Sequence, residues 1–370
     1  MKNTICRIIA GVLALALVCA IAPAQRVRAA EEVISVNQAY TYELTKDAKM
    51  LKFTAPEDGV FTVDAVINSD DGRQLEVNLF DSNGNKLVDP QYGRDLFEKV
   101  STGEYATKGG RYFYIKLSIP SLNGVTKDVT LTVNFTASNE WENEGNNTAE
   151  EACVLENGTV KYGVLTKEET TDFFTFKLKE NSKVTLEFGP KTITGDYNNW
   201  EVDLIDSKNE SYTVYGGHIS TVSTETLYLK KGTYFVRVKN YIGAQFVPYK
   251  ITFTAEKLAI KKPTITKVTV KKEKNGDKYY LDSIKMKGNG DVQGFTLQAA
   301  TDKKFKKKLV NNEIKLTDGI CSKKEISTGK NSGSYTLSTG SKYYVRVRGY
   351  VADPFGSKIY GKYSKVKATK

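Results

Sequence analysis

The stretch Glu142-Asn143-Glu144-Gly145-Asn146-Asn147-Thr148 carries residue types that can do chemistry at a useful spacing. In an extended segment alternate side chains share a side, so Glu142, Glu144 and Asn146 project together. Two carboxylates and an amide oxygen are hard donors, of the kind Ca²⁺ accepts. The other reading of such a charge run is a solvated acidic linker. A second candidate is Lys303-Lys304-Phe305-Lys306-Lys307-Lys308, dense enough in cations to meet an anionic polymer or to serve as a solubilising face. A third is His218, the only histidine, in Tyr215-Gly216-Gly217-His218. One histidine is a thin basis for acid–base work. The chain has no H-E-x-x-H, no G-x-S-x-G and no phosphate-binding P-loop. His218 is therefore expected on a surface loop and no enzyme is expected. Paired carboxylates of the glycosidase kind stay open, because carboxylates are many.

The elements that must position these residues follow from one repeated pattern. Gly110-Arg111-Tyr112-Phe113-Tyr114-Ile115, Gly232-Thr233-Tyr234-Phe235-Val236-Arg237-Val238 and Gly340-Ser341-Lys342-Tyr343-Tyr344-Val345-Arg346-Val347 each place a glycine turn before an alternating aromatic and β-branched run. A period of two predicts a strand with one buried face. Tyr234, Val236 and Val238 are expected inward, as are Tyr343, Val345 and Val347. In the first copy Lys116 shares a face with Tyr112 and Tyr114, which predicts a bulge or a strand end. The other apolar segments are short and separated by turn chemistry such as Glu57-Asp58-Gly59 and Asn83-Gly84. The expected fold class is all-β, with three β-sandwich domains in series.

Residues 1–30 form a basic start, an apolar run from Ile8 to about Ala22 and small-residue exits, the marks of a secretory signal peptide. Past it no second apolar run appears, so no membrane span is expected in the mature chain. Cys6 and Cys19 fall in the leader. Cys153 and Cys321 remain, in different expected domains, and core packing has to replace disulfides. The formal net charge is +11. It hides two opposite portions: 23 basic against 33 acidic residues over 31–255, and 27 basic against 10 acidic from Glu256 onward.

Expected domains are 31–138, 139–257 and 258–370. The first two look like copies. Leu75-Glu-Val-Asn-Leu-Phe-Asp81 matches Trp200-Glu-Val-Asp-Leu-Ile-Asp206, and Leu131-Thr-Val-Asn-Phe-Thr-Ala137 matches Tyr249-Lys-Ile-Thr-Phe-Thr-Ala255, in the same order. Trp200 takes the inward place of Leu75, which favours core packing over a ligand-stacking platform.

Two resemblances follow from the residues. The portion 258–370 resembles a fibronectin type III module, through Leu337-x5-Tyr343-x-Val345-x-Val347 and Tyr363-Ser364-Lys365-Val366. That likeness implies a tyrosine hydroxyl pinning a corner of the sandwich. It also implies a second-strand tryptophan, which is missing; Ile284 or Met286 is expected in that volume. The portion 139–257 resembles the bacterial pre-peptidase C-terminal domain, related to collagen-binding modules. The motif is Glu142-x-Glu144-Gly145-Asn146-Asn147-Thr148, then Ala152, Asp172-Phe173-Phe174-Thr175-Phe176 and the 232–238 run. Residues 31–138 look like a diverged copy without the acidic motif. The resemblance implies a structural Ca²⁺ held by Glu142, Glu144, Asn146, Asn147 and Asp172. A further acid two residues before Asp172 is usual in that family, and Thr170 stands there. Collagen-binding relatives grip their ligand with tyrosines, which draws attention to Tyr197, Tyr212 and Tyr215 without assigning them.

The functional expectation is an exported, non-catalytic binding or adhesion protein. Its partner would be an extracellular polysaccharide, a cell-wall polymer or a matrix protein, and not nucleic acid, with the Lys303, Lys304, Lys306, Lys307 and Lys308 patch one candidate contact. No sortase-type tail is read after the third expected domain, so covalent wall attachment is not expected. An accessory role beside a secreted protease and a cryptic hydrolase are the alternatives.

Overall fold

In a computed structural model, the structure describes residues 32–67, 74–87, 91–92, 99–122, 124–167, 169–192, 198–242, 246–273, 276–329, 335–337 and 342–369. The leader and Tyr197 lie outside the described residues. The chain is all-β, with a single 3₁₀ turn, Leu316–Asp318, as the helical element among the described residues. No helix among them is long and apolar enough to cross a membrane. The chain divides into two compact units, one of residues 1–54, 64–101 and 112–133, the other of residues 55–63, 102–111 and 134–370.

Six sheets are present among the described residues. The first orders Glu32–Val33, Lys49–Thr54, Tyr112–Ser118, Glu76–Phe80 and Gln91–Tyr92 side by side. The second orders Ala39–Leu44, Lys127–Ala137, Gly59–Ile67 and Lys99–Ser101, with Tyr105–Thr107 also on Gly59–Ile67. The third runs Cys153–Val154, Thr171–Leu178, Gly232–Ile242, Asn199–Ile205, Ser211–His218, and the fourth Val160–Gly163, Tyr249–Lys257, Ser182–Pro190, Ser223–Leu229. The first and third sheets share one order, down to a two-residue parallel edge strand in each: Glu32–Val33 on Lys49–Thr54, Cys153–Val154 on Thr171–Leu178. The matched sequence segments therefore occupy matched strands.

Alternation explains what each sheet buries. In Thr171–Leu178, Phe174, Phe176 and Leu178 point inward with Val236 and Val238 of the neighbouring strand. They meet Val184, Leu186, Phe188, Ile251 and Phe253 of the fourth sheet in one core. Trp200 is fully buried there, edge-on to Phe188 at 5.5 Å, so it has no face left for a ligand. In Tyr112–Ser118, Phe113, Ile115 and Leu117 are buried and Lys116 stays outside with Tyr112 and Tyr114. That strand pairs without interruption on both edges, so neither the bulge nor the break at Lys116 occurs. A long cation on the solvated face simply costs a strand nothing.

The fifth sheet holds Thr264–Lys272, Tyr279–Lys287, Glu325–Ser327 and Thr336–Leu337. The sixth orders Lys308–Lys315, Gly294–Ala300, Tyr344–Ala352 and Lys358–Tyr360, with Lys367–Ala368 also on Tyr344–Ala352. Their shared core contains Ile284, Met286, Phe295, Leu297, Tyr343, Val345 and Val347. Ile284 and Met286 are both buried in it. The Tyr343 hydroxyl is buried without a hydrogen-bond partner among the described residues, so the tyrosine corner is not formed through it.

Candidate metal centre

The acidic stretch is not solvated. Glu142 is 1 % exposed, Glu144 4 %, and Asn146 and Asp172 are closed off completely. Two backbone devices draw the segment in. The Glu142 amide donates to Tyr162 O at 2.8 Å, beside a parallel bridge between Trp141 and Tyr162. The Phe173 amide donates to Asn146 O at 2.7 Å, while Asn146 Nδ2 returns to Phe173 O at 3.3 Å. Gly145 between them has φ 102°, a conformation that favours glycine. Asp172 enters from the second position of Thr171–Leu178, at inward phase with Phe174.

The carboxylates divide into satisfied and unsatisfied oxygens. Glu142 Oε1 accepts from the Val164 amide at 2.7 Å, and Glu142 Oε2 from Asn146 Nδ2 at 3.1 Å. The Tyr249 hydroxyl donates to Asp172 Oδ2 at 2.5 Å and lies 3.2 Å from Glu142 Oε2. Gly163 is obligatory beneath this cluster, because a Cβ there would stand 2.3 Å from the Tyr249 hydroxyl and 2.7 Å from Glu142 Oε1. The remaining oxygens are buried and unpartnered: both of Glu144, Oδ1 of Asn146, Oδ1 of Asn147, Oδ1 of Asp172 and Oε2 of Glu169. An orphaned buried acceptor costs about 1–3 kcal/mol, and more when charged.

The electrostatics point the same way. Burial pushes the Glu144 carboxyl well above the usual range, and the charges of Glu169, Glu142 and Asp172 push it further against the pull of Arg111. Burial and Glu142 raise Asp172 likewise. Glu142 is raised by burial, with the Val164, Asn146 and Tyr249 bonds opposing. The cluster is short of positive charge, and a bound cation would supply it.

All five expected ligands, Glu142, Glu144, Asn146, Asn147 and Asp172, thus belong to one region. Among the described residues no group of three or more His, Cys, Asp or Glu is arranged to hold a metal ion. The fit to an oxygen-loving cation rests instead on the mixed carboxylate and amide oxygens left over.

Two participants were not anticipated. Glu169 brings a carboxylate one residue before Thr170, held by its own amide on Thr166 Oγ1 at 2.9 Å and paired with Arg111 at 3.4 Å. Tyr249 supplies the buried hydroxyl; the segment match had marked it only as a strand residue. Beside the cluster, Glu144, Gly145, Glu151 and Cys153 help to line a groove of about 820 Å³. Cys153 is buried and free, its thiol pushed up to about 11 by burial, which makes it inert.

His218 is exposed as expected, but it ends the strand Ser211–His218 opposite Asn199 and is not on a loop. Tyr215 is half-buried: it packs on Phe188 at 6.2 Å and donates to Leu186 O at 2.6 Å. Tyr212 leans on the same core. Lys303, Lys304, Lys306, Lys307 and Lys308 are all exposed, on the turn leading into Lys308–Lys315 and far in sequence from the acidic cluster.

No family model and no curated protein sequence matches the chain. Among solved structures, the pre-peptidase C-terminal domain of a collagenase from Bacillus anthracis aligns at 13 % identity and TM-score 0.24, covering 29 % of this chain and 99 % of that one. Tandem CBM51 modules of a family 98 glycoside hydrolase from Streptococcus pneumoniae align at 6 % and 0.21, over 60 % of this chain and 85 % of theirs. The CBM22 tandem domain of Paenibacillus barcinonensis Xyn10C aligns at 8 % and 0.23, over 62 % and 100 %.

Proposed function

We propose that the chain is an exported, non-catalytic binding protein that engages an extracellular polymer and in which Ca²⁺ clamps residues 142–147 to the sheets behind them. Glu144, Asn146, Asn147, Asp172 and Glu169 would hold the ion with their unpartnered oxygens, and Glu142 and Tyr249 would brace them. When bound, the ion supplies positive charge where burial has concentrated negative charge. The observation that carries this reading is the set of buried, unpartnered oxygens around Glu144.

In this reading residues 139–257 are a pre-peptidase C-terminal-like sandwich, 31–138 a diverged copy, and 258–370 a fibronectin type III-like unit. Export rests on the leader pattern at 1–30. The test is a glycan and matrix-protein array probed with the full chain, in calcium and in chelator. Saturable retention on a polymer, weakened by the chelator, is the expected outcome. Turnover of an arrayed polymer that a single carboxylate substitution abolishes would replace this proposal with a hydrolase.

A further inference from the structure

The face of the sixth sheet that points away from its core carries a cation ladder. Arg346 lies between two rings, its guanidinium carbon 4.1 Å from the centroids of both Phe305 and Tyr363. Arg348 follows two residues along the strand, 3.8 Å from Tyr360 and 4.7 Å from Tyr363. Two residues of strand separate these cations by about 6.7 Å. Lys358 extends the row over Tyr350 at 5.2 Å. Arg346 Nε donates to Gln298 Oε1 at 2.7 Å, whereas the Arg348 Nε is buried with no acceptor.

The lysine run is tied to this ladder. Phe305, 3 % exposed and at φ 54°, is the plug beneath Arg346. Asp302 gathers the loop from below: its Oδ1 accepts from the amides of Lys304 at 2.9 Å and Lys306 at 3.2 Å, its Oδ2 from Lys307 at 3.0 Å. The loop is thus built by its single apolar residue and its single acid, and the five lysines are what it shows to solvent. None of the five forms an ion pair among the described residues. The acids nearby are spent: Asp302 on backbone amides, Glu313 on Lys358 and on the Tyr360 hydroxyl.

Resting on the polymer-binding reading above, we infer that this face is the docking surface, and that its ligand is a linear polysaccharide bearing regularly spaced carboxylate or sulfate groups. A row of cations held in place by ring contacts matches an anion repeat. The Tyr360 ring, 39 % exposed beside Arg348, offers apolar surface for a sugar ring, which a bare polyphosphate would not use. Holding the loop in place beforehand lowers the ordering cost of binding. Arg346 is a positioning residue here, since both of its faces are already covered.

The experiment titrates the full chain with size-fractionated heparin, polygalacturonate, inorganic polyphosphate of similar length and neutral dextran, at several salt concentrations. Saturable, salt-sensitive binding to either acidic polysaccharide, tighter than to polyphosphate and absent for dextran, is expected. Lys304→Glu with Lys307→Glu should weaken it by at least about tenfold. Arg346→Lys keeps the charge but loses the planar stack that seats Phe305, so it should weaken binding at temperatures well below its own thermal midpoint, where the chain is folded. Equal affinity for polyphosphate would show charge attraction only and overturn the inference. So would salt-sensitive self-association that the double charge reversal removes, with no polysaccharide bound. Retention on a neutral glycan or matrix protein that survives the charge reversal would sink this inference and leave the broader polymer-binding proposal standing.

Discussion

Asp203 shows how a buried carboxylate is satisfied by its neighbours where both oxygens of Glu144 are left without a partner. Asp203 is 2 % exposed, yet Arg237 Nη2 and Nε donate to its Oδ2 at 2.7 and 3.2 Å and Thr213 donates to Oδ1 at 2.8 Å. Burial pushes this carboxyl up, but the Arg237 and Thr213 bonds and the charges of Arg237 and Lys239 outweigh it and hold it below its ordinary value. A depressed carboxyl stabilises the fold above the unfolded-state value of about 3.9, and that contribution is lost as pH falls through the lower folded value. Arg237→Gln should therefore cost about 1–3 kcal/mol at pH 7. The cost stays below that of a fully enclosed pair because Lys239 remains 3.6 Å away and Arg237 keeps some solvent contact. Urea titrations at pH 7 and pH 3 check this; an equal loss at both would mean the ion pair is not the cause. At the candidate metal centre, Tyr249→Phe removes the donor to Asp172 and should cost about 1–3 kcal/mol. Calcium should restore part of that loss, by taking over the uncompensated charge.

At the scale of elements, Trp200 is the clearest test of the duplicated strand order. It fills a place in Asn199–Ile205 that Leu75 takes just ahead of Glu76–Phe80. Trp200→Ala should cost about 3–5 kcal/mol and Leu75→Ala about 2–5 kcal/mol in denaturant titrations. A loss under 1 kcal/mol at Trp200 would deny it a core role. Strands such as Thr171–Leu178 and Gly232–Ile242 were legible because period-two alternation is local and survives without tertiary help. Glu142, Glu144, Asn146, Asn147 and Asp172 stood out by motif and resemblance as candidate ligands; that Glu142, Glu144, Asn146 and Asp172 are buried was not readable, since an acidic run serves a solvated linker equally well. The parallel edge strands Glu32–Val33 and Cys153–Val154 were not, being two residues long with pairing partners about 20 residues away. Glu169 was missed because a loop, with no period to read, turns its side chain inward one position from where an acid was sought. The Arg346 ladder was invisible for a related reason: Phe305, Arg346 and Tyr363 meet only through the sheet.

Over the whole molecule, charge is segregated along the chain, −10 over residues 31–255 and +17 from Glu256 onward. Within the larger compact unit the two portions also touch. Tyr234 stacks with Phe355 at 6.4 Å, and Lys230 pairs with Asp353 at 3.5 Å. A double-mutant cycle of Tyr234→Leu and Phe355→Ala should show a coupling of about 0.5–1.5 kcal/mol, and additive losses would mean the stack contributes nothing. The cation that the buried cluster calls for is the claim on which the largest share of this account depends. The most direct measurement is the thermal midpoint of the full chain in millimolar calcium against chelator, for the wild type and Glu144→Gln. At a hundredfold excess over its Kd the ion should add about 2.7 kcal/mol, raising the midpoint by roughly 5–10 °C, with most of the gain gone in Glu144→Gln. An unchanged wild-type midpoint, or an equal rise in the variant, would contradict it.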